Sequence, residues 1–186
     1  MNIKRIWLMV PAILLPYISI GMVLTIFFSA KNSVCRFIME QVFGGNAWYL
    51  IGTVVAFALL AFLLTVTCFV LGVLKKWDDL SLARSAMIIK LVQIPAYIVS
   101  FILSVFCAFT ILLIAFTIAM ILLNSLSIMC TGLLTTSSVI NARRKQSVSV
   151  GTAVCTIILQ CVPVADVILS VILFCKLSKR YLNQVA

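Results

Sequence analysis

The longest uncharged stretch of the chain runs from Leu91 to Ala142 and limits the possible folds more than any other feature. It holds 52 residues, and one helix of that length would reach about 78 Å, more than twice the apolar thickness of a bilayer. Two helices must therefore fold from it. We expect the turn between Ser104 and Thr110, which gives two spans of plausible length; a turn at Asn124–Ser127 is the alternative.

The composition extends this membrane character to the whole chain. Of its 186 residues, 65% are hydrophobic, against roughly 45–50% in soluble domains. The sequence predicts an all-α integral membrane protein with a single transmembrane domain, in which four full spans are followed by a C-terminal broken hairpin. The predicted spans cover residues 6–29, 47–74, 88–107 and 110–140, and the hairpin covers residues 147–177. Asp79 or Ser81 is expected to cap a helix that continues into the third span.

The basic residues lie at the ends of the apolar runs and set the expected orientation. The positive-inside rule places the N-terminus and the loops at Lys75–Lys90 and Asn141–Gln146 in the cytoplasm. The last apolar run is interrupted by Val162–Asp166, which contains a proline. A single fifth span would put Lys176–Arg180 outside, whereas a hairpin that enters the membrane and returns keeps these cations inside. We favour the hairpin.

The break in the last apolar run carries the most informative polar residue, Asp166. A carboxylate inside a bilayer costs about 2.5–3.5 kcal/mol on insertion scales and needs a partner or a function. One interpretation is the N-cap of a half-helix. The other is a cation or proton site close to Gln160 and within reach of Lys90 or Gln93. Asn124, on the polar side of the fourth span, completes the candidate polar site.

Three spans carry small residues at helical spacing, which lets helix backbones approach closely. We expect these faces to pack against each other; the alternative is that the polar face of the fourth span lines a wet cavity. The residues are Ala58, Ala61, Thr65, Cys68 and Gly72 in the second span, Ala96, Ser100, Ser104 and Ala108 in the third, and Asn124, Ser127, Thr131, Thr135 and Ser138 in the fourth.

The residue inventory argues against catalysis and against cofactor or metal binding. The chain has no histidine, its only glutamate is Glu40, and of its three aspartates only Asp166 lies inside an apolar run. No two of its seven cysteines are spaced as CxxC. These absences remove His-based acid–base chemistry, paired carboxylates and zinc ribbons. Because the cations mark helix ends, nucleic acid is not an expected partner either. The expected partners are the lipid bilayer and another membrane protein.

Two short blocks, Ala86–Tyr97 and Leu159–Val167, resemble uncharacterised multi-pass membrane proteins of Clostridia-type bacteria. The resemblance implies a location in a bacterial cytoplasmic membrane, and it implies no activity. We therefore expect a non-enzymatic protein that acts by protein–protein contact in the bilayer, as an immunity protein or an accessory subunit. The alternative is a small-solute binding or transport subunit with Asp166 at a helix break.

Overall fold

A computed structural model describes residues 8–74, 77–109, 113–146, 148–160 and 162–185 of the chain. The described residues form helices joined by short connections, which confirms the predicted all-α class. In chain order the elements are α1 (Val10–Phe28), α2 (Ser33–Phe37), a π-helical turn (Ile38–Val42), α3 (Ala47–Leu74), α4 (Asp79–Ala108), α5 (Ile114–Arg144), α6 (Val150–Leu159) and α7 (Pro163–Val185).

Four of these helices, α1, α3, α4 and α5, are long and apolar enough to cross a membrane. Helix α6 has only 10 residues, about 15 Å of rise, and reaches no farther than the middle of a bilayer. It ends just before Pro163, where α7 begins. The described chain is thus an integral membrane bundle of four spans followed by a broken C-terminal hairpin, as predicted.

The observed helix α4 begins at Asp79, well before the predicted start of the third span at residue 88. The difference arises because the first turns of α4 are polar. They are helical, but they precede the apolar segment from which the span was predicted. The sequence predicted Asp79 or Ser81 as the cap of α4, and this prediction is wrong. The residue that caps α4 is Asp78. Its carboxylate accepts a 3.0 Å hydrogen bond from the backbone N–H of Ser81.

The two helices of the long uncharged stretch separate between Ala108 and Ile114, later than the predicted start of the turn at Ser104, because α4 remains helical to Ala108. The alternative turn at Asn124–Ser127 is wrong, because α5 runs through these residues without a break. Helix α5 also continues to Arg144, past the predicted end at residue 140. The predicted start of the first span, at residue 6, lies outside the described residues.

Helix α5 is the centre of the bundle and contacts α1, α3, α4, α6 and α7. The small-residue face of α3 is buried at all five predicted positions, and that of α5 is buried from Ser127 to Ser138. On α4, Ala96 and Ser100 are buried, but Ala108 is exposed, against the prediction. Ala108 lines an open groove between α4 and α5, so no neighbouring helix covers it there.

The hairpin folds back onto the bundle and returns to the end at which it starts. Helix α6 packs along α5, whereas α7 packs mainly along α4. Near the C-terminus, Nη1 of Arg180 donates a 3.0 Å hydrogen bond to the backbone carbonyl of Gln146, just after α5. Leu173 and Leu177 of α7 belong to one apolar cluster with Val139 of α5. The far end of α7 therefore lies beside the C-terminal end of α5.

Candidate functional site

A buried ion pair joins α4 to the C-terminal hairpin. The Lys90 ammonium group contacts Oδ1 of Asp166, and the two residues are only 1% and 3% exposed. Lys90 also donates hydrogen bonds to Oγ1 of Thr135 (2.8 Å) and to Oγ of Ser170 (2.7 Å). Three oxygens thus surround an ammonium group that has three N–H donors. The pair ties α4, α5 and α7 together.

The depth of this ion pair follows from the helix register. Lys90 lies about 16 Å along the axis of α4 from Asp79, which is about half the apolar thickness of a bilayer. Asp166 reaches the same depth because α6 is a half-length helix and α7 begins at its inner end. An unpaired charge at this depth has a high free energy of insertion. Because Lys90 and Asp166 have opposite charges, each lowers the free energy of burying the other.

Asp166 does not cap α7, and the N-cap interpretation is wrong. Its backbone N–H donates a 2.8 Å hydrogen bond to the carbonyl of Val162, so Asp166 already lies inside the helix, which begins at Pro163. Its side chain turns to Lys90 instead of to the orphan N–H groups of the helix. A buried ammonium group attracts the carboxylate more strongly than a neutral N–H group does.

A second polar group lies further along α4, around Gln93. The Gln93 amide nitrogen donates to the backbone carbonyl of Ala12 (2.7 Å) and to the hydroxyl of Ser127 (3.1 Å). The Tyr97 hydroxyl donates to Oε1 of Gln93 (3.1 Å) and lies 3.2 Å from Oγ of Ser127. This group joins α1, α4 and α5, and it leaves neither polar end of Gln93 without a partner.

Gln160 fixes the end of α6 against α5. It is 5% exposed, and its Oε1 accepts a 3.1 Å hydrogen bond from the Thr136 hydroxyl. The side chain lies against Gly132, where an added Cβ would be 3.3 Å from Oε1. Its Nε2 is buried and has no hydrogen-bond partner among the residues that the structure describes. Gln160 therefore holds the break of the hairpin in place, although its amide nitrogen has no partner among the described residues.

Asn124 lies apart from the other candidate residues, in a groove between α4 and α5 that is open to the surroundings of the bundle. The groove has a volume of about 670 Å³, and its walls are mostly apolar, with Phe101 and Ile121 on its rim. The Oδ1 atom of Asn124 is buried, with no partner in the described part of the chain. Tyr97 forms part of the same groove.

The structure brings Lys90 and Asp166 into direct contact and places Gln93, Gln160 and Asn124 in three separate environments. The pattern of the sequence did not assign four residues of these groups to the polar site, although Thr135 and Ser127 were predicted as members of the small-residue face of the fourth span. Ser170 follows Asp166 by one helical turn, Tyr97 follows Gln93 in the same way, and Thr135 belongs to the small-residue face. The four are Thr135, Ser170, Tyr97 and, as a partner of Gln93, Ser127.

A polar cluster closes the end of the bundle at which α4 begins and α5 ends. Lys145 pairs with Asp79 and lies 3.6 Å from Asp78. The hydrogen bond from Lys145 to Asp79 is the main cause that raises the pKa of Lys145 above its usual value. The amide nitrogen of Asn141 donates to the carbonyls of Gly72 (2.9 Å) and Trp77 (3.0 Å). These contacts fasten the ends of α3, α4 and α5 together.

The polar contacts of these groups join helices of the bundle to each other. Within the described ranges, no three His, Cys, Asp or Glu side chains come close enough to hold a metal ion. The ammonium group of Lys90 is fully occupied by protein oxygens. No protein-family model, no curated protein and no solved structure matches this chain.

Proposed function

We propose that the chain is a non-enzymatic multi-pass protein of a bacterial cytoplasmic membrane that acts by contact with another membrane protein, as an immunity protein or an accessory subunit. One observation carries this proposal: the groove between α4 and α5 contains an amide oxygen, Oδ1 of Asn124, that no described residue satisfies. A partner helix in this groove would gain both apolar contact and a hydrogen bond.

The chemistry of the groove favours a transmembrane helix as its occupant. Its rim exposes Ile98, Phe101 and Ile121, which suit an apolar helix. An unpaired polar group inside the hydrocarbon region costs several kcal/mol, and lipid tails offer no donor. A partner helix with a serine, threonine or amide side chain at the depth of Asn124 would supply it. Such interhelical hydrogen bonds contribute about 0.6–2 kcal/mol each.

The interior polar groups support a contact function over a solute site. Lys90 and Gln93 are both saturated by protein partners on neighbouring helices. A solute would have to break these contacts before it could bind. The buried polar residues thus hold the helices of the bundle together, and Asn124 is the residue with an unsatisfied amide oxygen that lines the open groove.

The proposed orientation places both termini in the cytoplasm. Arg143 of α5 and Lys176 and Arg180 of α7 lie at one end of the bundle, joined there by the contact of Arg180 with Gln146. The connection between α1 and α3, at the other end, carries only Lys31 and Arg36 as cations. The positive-inside rule assigns the richer end to the cytoplasm. Nucleic acid is no part of this proposal.

Site-specific photo-crosslinking in the native membrane tests the proposal. A photoreactive amino acid at Phe101, on the rim of the groove, should form an adduct with one protein of a mass different from that of this chain. The same probe at Leu63, an equally lipid-exposed position on α3, serves as the control and should form no such adduct. Asn124→Leu should abolish the Phe101 adduct, because it removes the acceptor and fills the groove.

Two results would contradict the proposal. An adduct at Phe101 with twice the mass of this chain would show that the groove binds a second copy. Equal adducts from Phe101 and Leu63, or an adduct that survives Asn124→Leu, would show that the groove has no specific partner.

A small-solute transport subunit is the second candidate. It is favoured by one observation, the ion pair of Lys90 and Asp166 near the break of a half-membrane hairpin. Transporters place charged residues at helix breaks of this kind. This function would need the two charges themselves. A double variant, Lys90→Met with Asp166→Leu, that folds but abolishes uptake of a solute would support it.

A further inference from the structure

The contact between α7 and the end of α5 unites basic residues that are far apart in the sequence. Lys176, Lys179 and Arg180 lie within little more than one turn of α7, at spacings of three and four that place them on one side of the helix. The hydrogen bond from Arg180 to the carbonyl of Gln146 brings this side of α7 to the end of α5, where Arg143 is exposed. We call these four residues, Arg143, Lys176, Lys179 and Arg180, the basic seam.

The basic seam has no acidic residue to balance it. All four cations are exposed, and none forms an ion pair with a described residue. The two nearby carboxylates, Asp78 and Asp79, are engaged by Lys145 instead. The remaining acidic residues are the buried Asp166 and Glu40, which follows the first span at the other end of the bundle. The positive charge of the seam is therefore not engaged by the described carboxylates and is open to a partner from outside the chain.

The position of the seam identifies the chemistry of this partner. The seam lies where α5 ends and where the apolar part of α7 gives way to polar residues, which is the level of the lipid headgroups. Leu173 and Leu177, one turn before Lys176 and Arg180 on the adjoining side of α7, are buried against the bundle. The exposed side chains of Tyr181 and Leu182 follow the seam directly. An aromatic and an aliphatic side chain beside a group of cations suit the boundary between headgroups and acyl chains.

We infer that the basic seam binds the headgroup of an anionic phospholipid. The phosphate of the lipid would lie among the four cations, and its acyl chains would follow the apolar side chains of α7 into the bilayer. The inference is independent of the groove between α4 and α5 and of any partner protein. Arg144 is not included, because its guanidinium group reaches α3, where it donates to the carbonyl of Val73, whereas Arg143 and Arg180 donate to carbonyls just after α5, at Val148 and Gln146.

The purified protein in a neutral detergent tests this inference by titration with single lipids. Phosphatidylglycerol should bind and raise the unfolding temperature, whereas phosphatidylcholine, which has the same phosphate but no net charge, should raise it much less. Inorganic phosphate at the same concentration should leave the unfolding temperature unchanged, because it lacks the acyl chains. Native mass spectrometry counts the lipid molecules that stay bound.

A matched pair of variants locates the binding site. Each cation near a membrane surface contributes about 1 kcal/mol to anionic-lipid binding, so Lys176→Gln with Lys179→Gln should weaken phosphatidylglycerol binding about thirtyfold. Neither lysine makes a hydrogen bond to a described residue, so the fold should persist. The control is Lys31→Gln with Arg36→Gln, which removes two exposed cations from the opposite end of the bundle and should leave the affinity unchanged.

Three results would overturn the inference. The first is equal binding of phosphatidylglycerol and phosphatidylcholine by the wild-type protein. The second is a rise in unfolding temperature with inorganic phosphate as large as that with phosphatidylglycerol. The third is an equal loss of phosphatidylglycerol affinity in the two double variants, which would show that general surface charge attracts the lipid. The comparison of lipids on the wild-type protein decides the question even if a variant fails to fold.

Discussion

The Lys90 ammonium group contacts the Asp166 carboxylate in the interior of the bundle, although the two residues are 76 positions apart in the sequence. The contact joins the third span to the helix that follows the break in the hairpin. Thr135 and Ser170 complete the surroundings of the ammonium group. The pair is thus one of the contacts that fix the C-terminal hairpin to the four-span bundle.

The stability of the bundle should depend on this pair as a unit. Lys90→Met or Asp166→Asn alone leaves a buried charge without its partner, and each should lower the free energy of unfolding by about 3–5 kcal/mol. The double variant Lys90→Met with Asp166→Leu should recover most of this loss, because apolar side chains replace both charges. Denaturant titration in detergent measures the free energy of unfolding of the wild type and of the three variants.

The single variant Asp166→Asn separates this interpretation from capping. Asparagine caps helices as well as aspartate does, so a capping role would leave stability unchanged. An Asp166→Asn protein as stable as the wild type, or a double variant no more stable than either single variant, would contradict the role of the pair.

The small-residue faces should tolerate no added volume. Ala61 on α3 and Ser100 on α4 are completely buried. Ala61→Leu or Ser100→Leu should therefore destabilise the protein by roughly 1–3 kcal/mol through overpacking. The control is Leu60→Ala, at the neighbouring position that faces away from the bundle. Equal thermal stability of all three variants in detergent would show that these faces are not contact surfaces.

Reporter fusions should place both ends of the hairpin on one side of the membrane. A reporter after Ala186 and a reporter inserted between Arg143 and Lys145 should both report a cytoplasmic location, because Arg180 reaches Gln146 at that end of the bundle. A third reporter, in the connection after α1 near Lys31, should report the opposite side. An external location for the C-terminal fusion alone would mean that the last apolar run crosses as a single span.

The pH dependence of stability should reveal the pair of Lys145 and Asp79. The hydrogen bond to Asp79 raises the pKa of Lys145 in the folded state. Lys145 therefore adds stability that is fully present below its unfolded-state pKa of about 10.4 and is lost as the pH rises through the higher folded-state value. Because half of its side chain is exposed, we expect a small effect.

The measurement is the unfolding temperature at pH 8 and at pH 11. Lys145→Gln should lower the unfolding temperature at pH 8. Between pH 8 and pH 11, the unfolding temperature of this variant should fall by less than that of the wild type. Lys179→Gln is the matched control, because this exposed lysine has no carboxylate partner among the described residues. The same drop in both variants would rule out a stabilising pair.

The architecture could be predicted from the sequence because it depends on lengths and breaks along the chain. An uncharged stretch too long for one span requires a turn, and the proline that follows Val162 interrupts the ladder of helical hydrogen bonds. The small faces were also readable: all five residues predicted for α3, from Ala58 to Gly72, are buried. Each of these features is local, so the sequence pattern alone is sufficient to locate it.

The partners of the polar residues were decided by tertiary structure. In a bilayer, the side of a helix that faces lipid is as apolar as the side that faces protein, so the hydrophobic pattern does not define the rotation of a helix about its axis. Whether Asp166 caps its own helix or meets Lys90 depends on that rotation and on the depth of α6. The same two quantities leave Asn124 facing an open groove while Ser127, one turn away, bonds to Gln93.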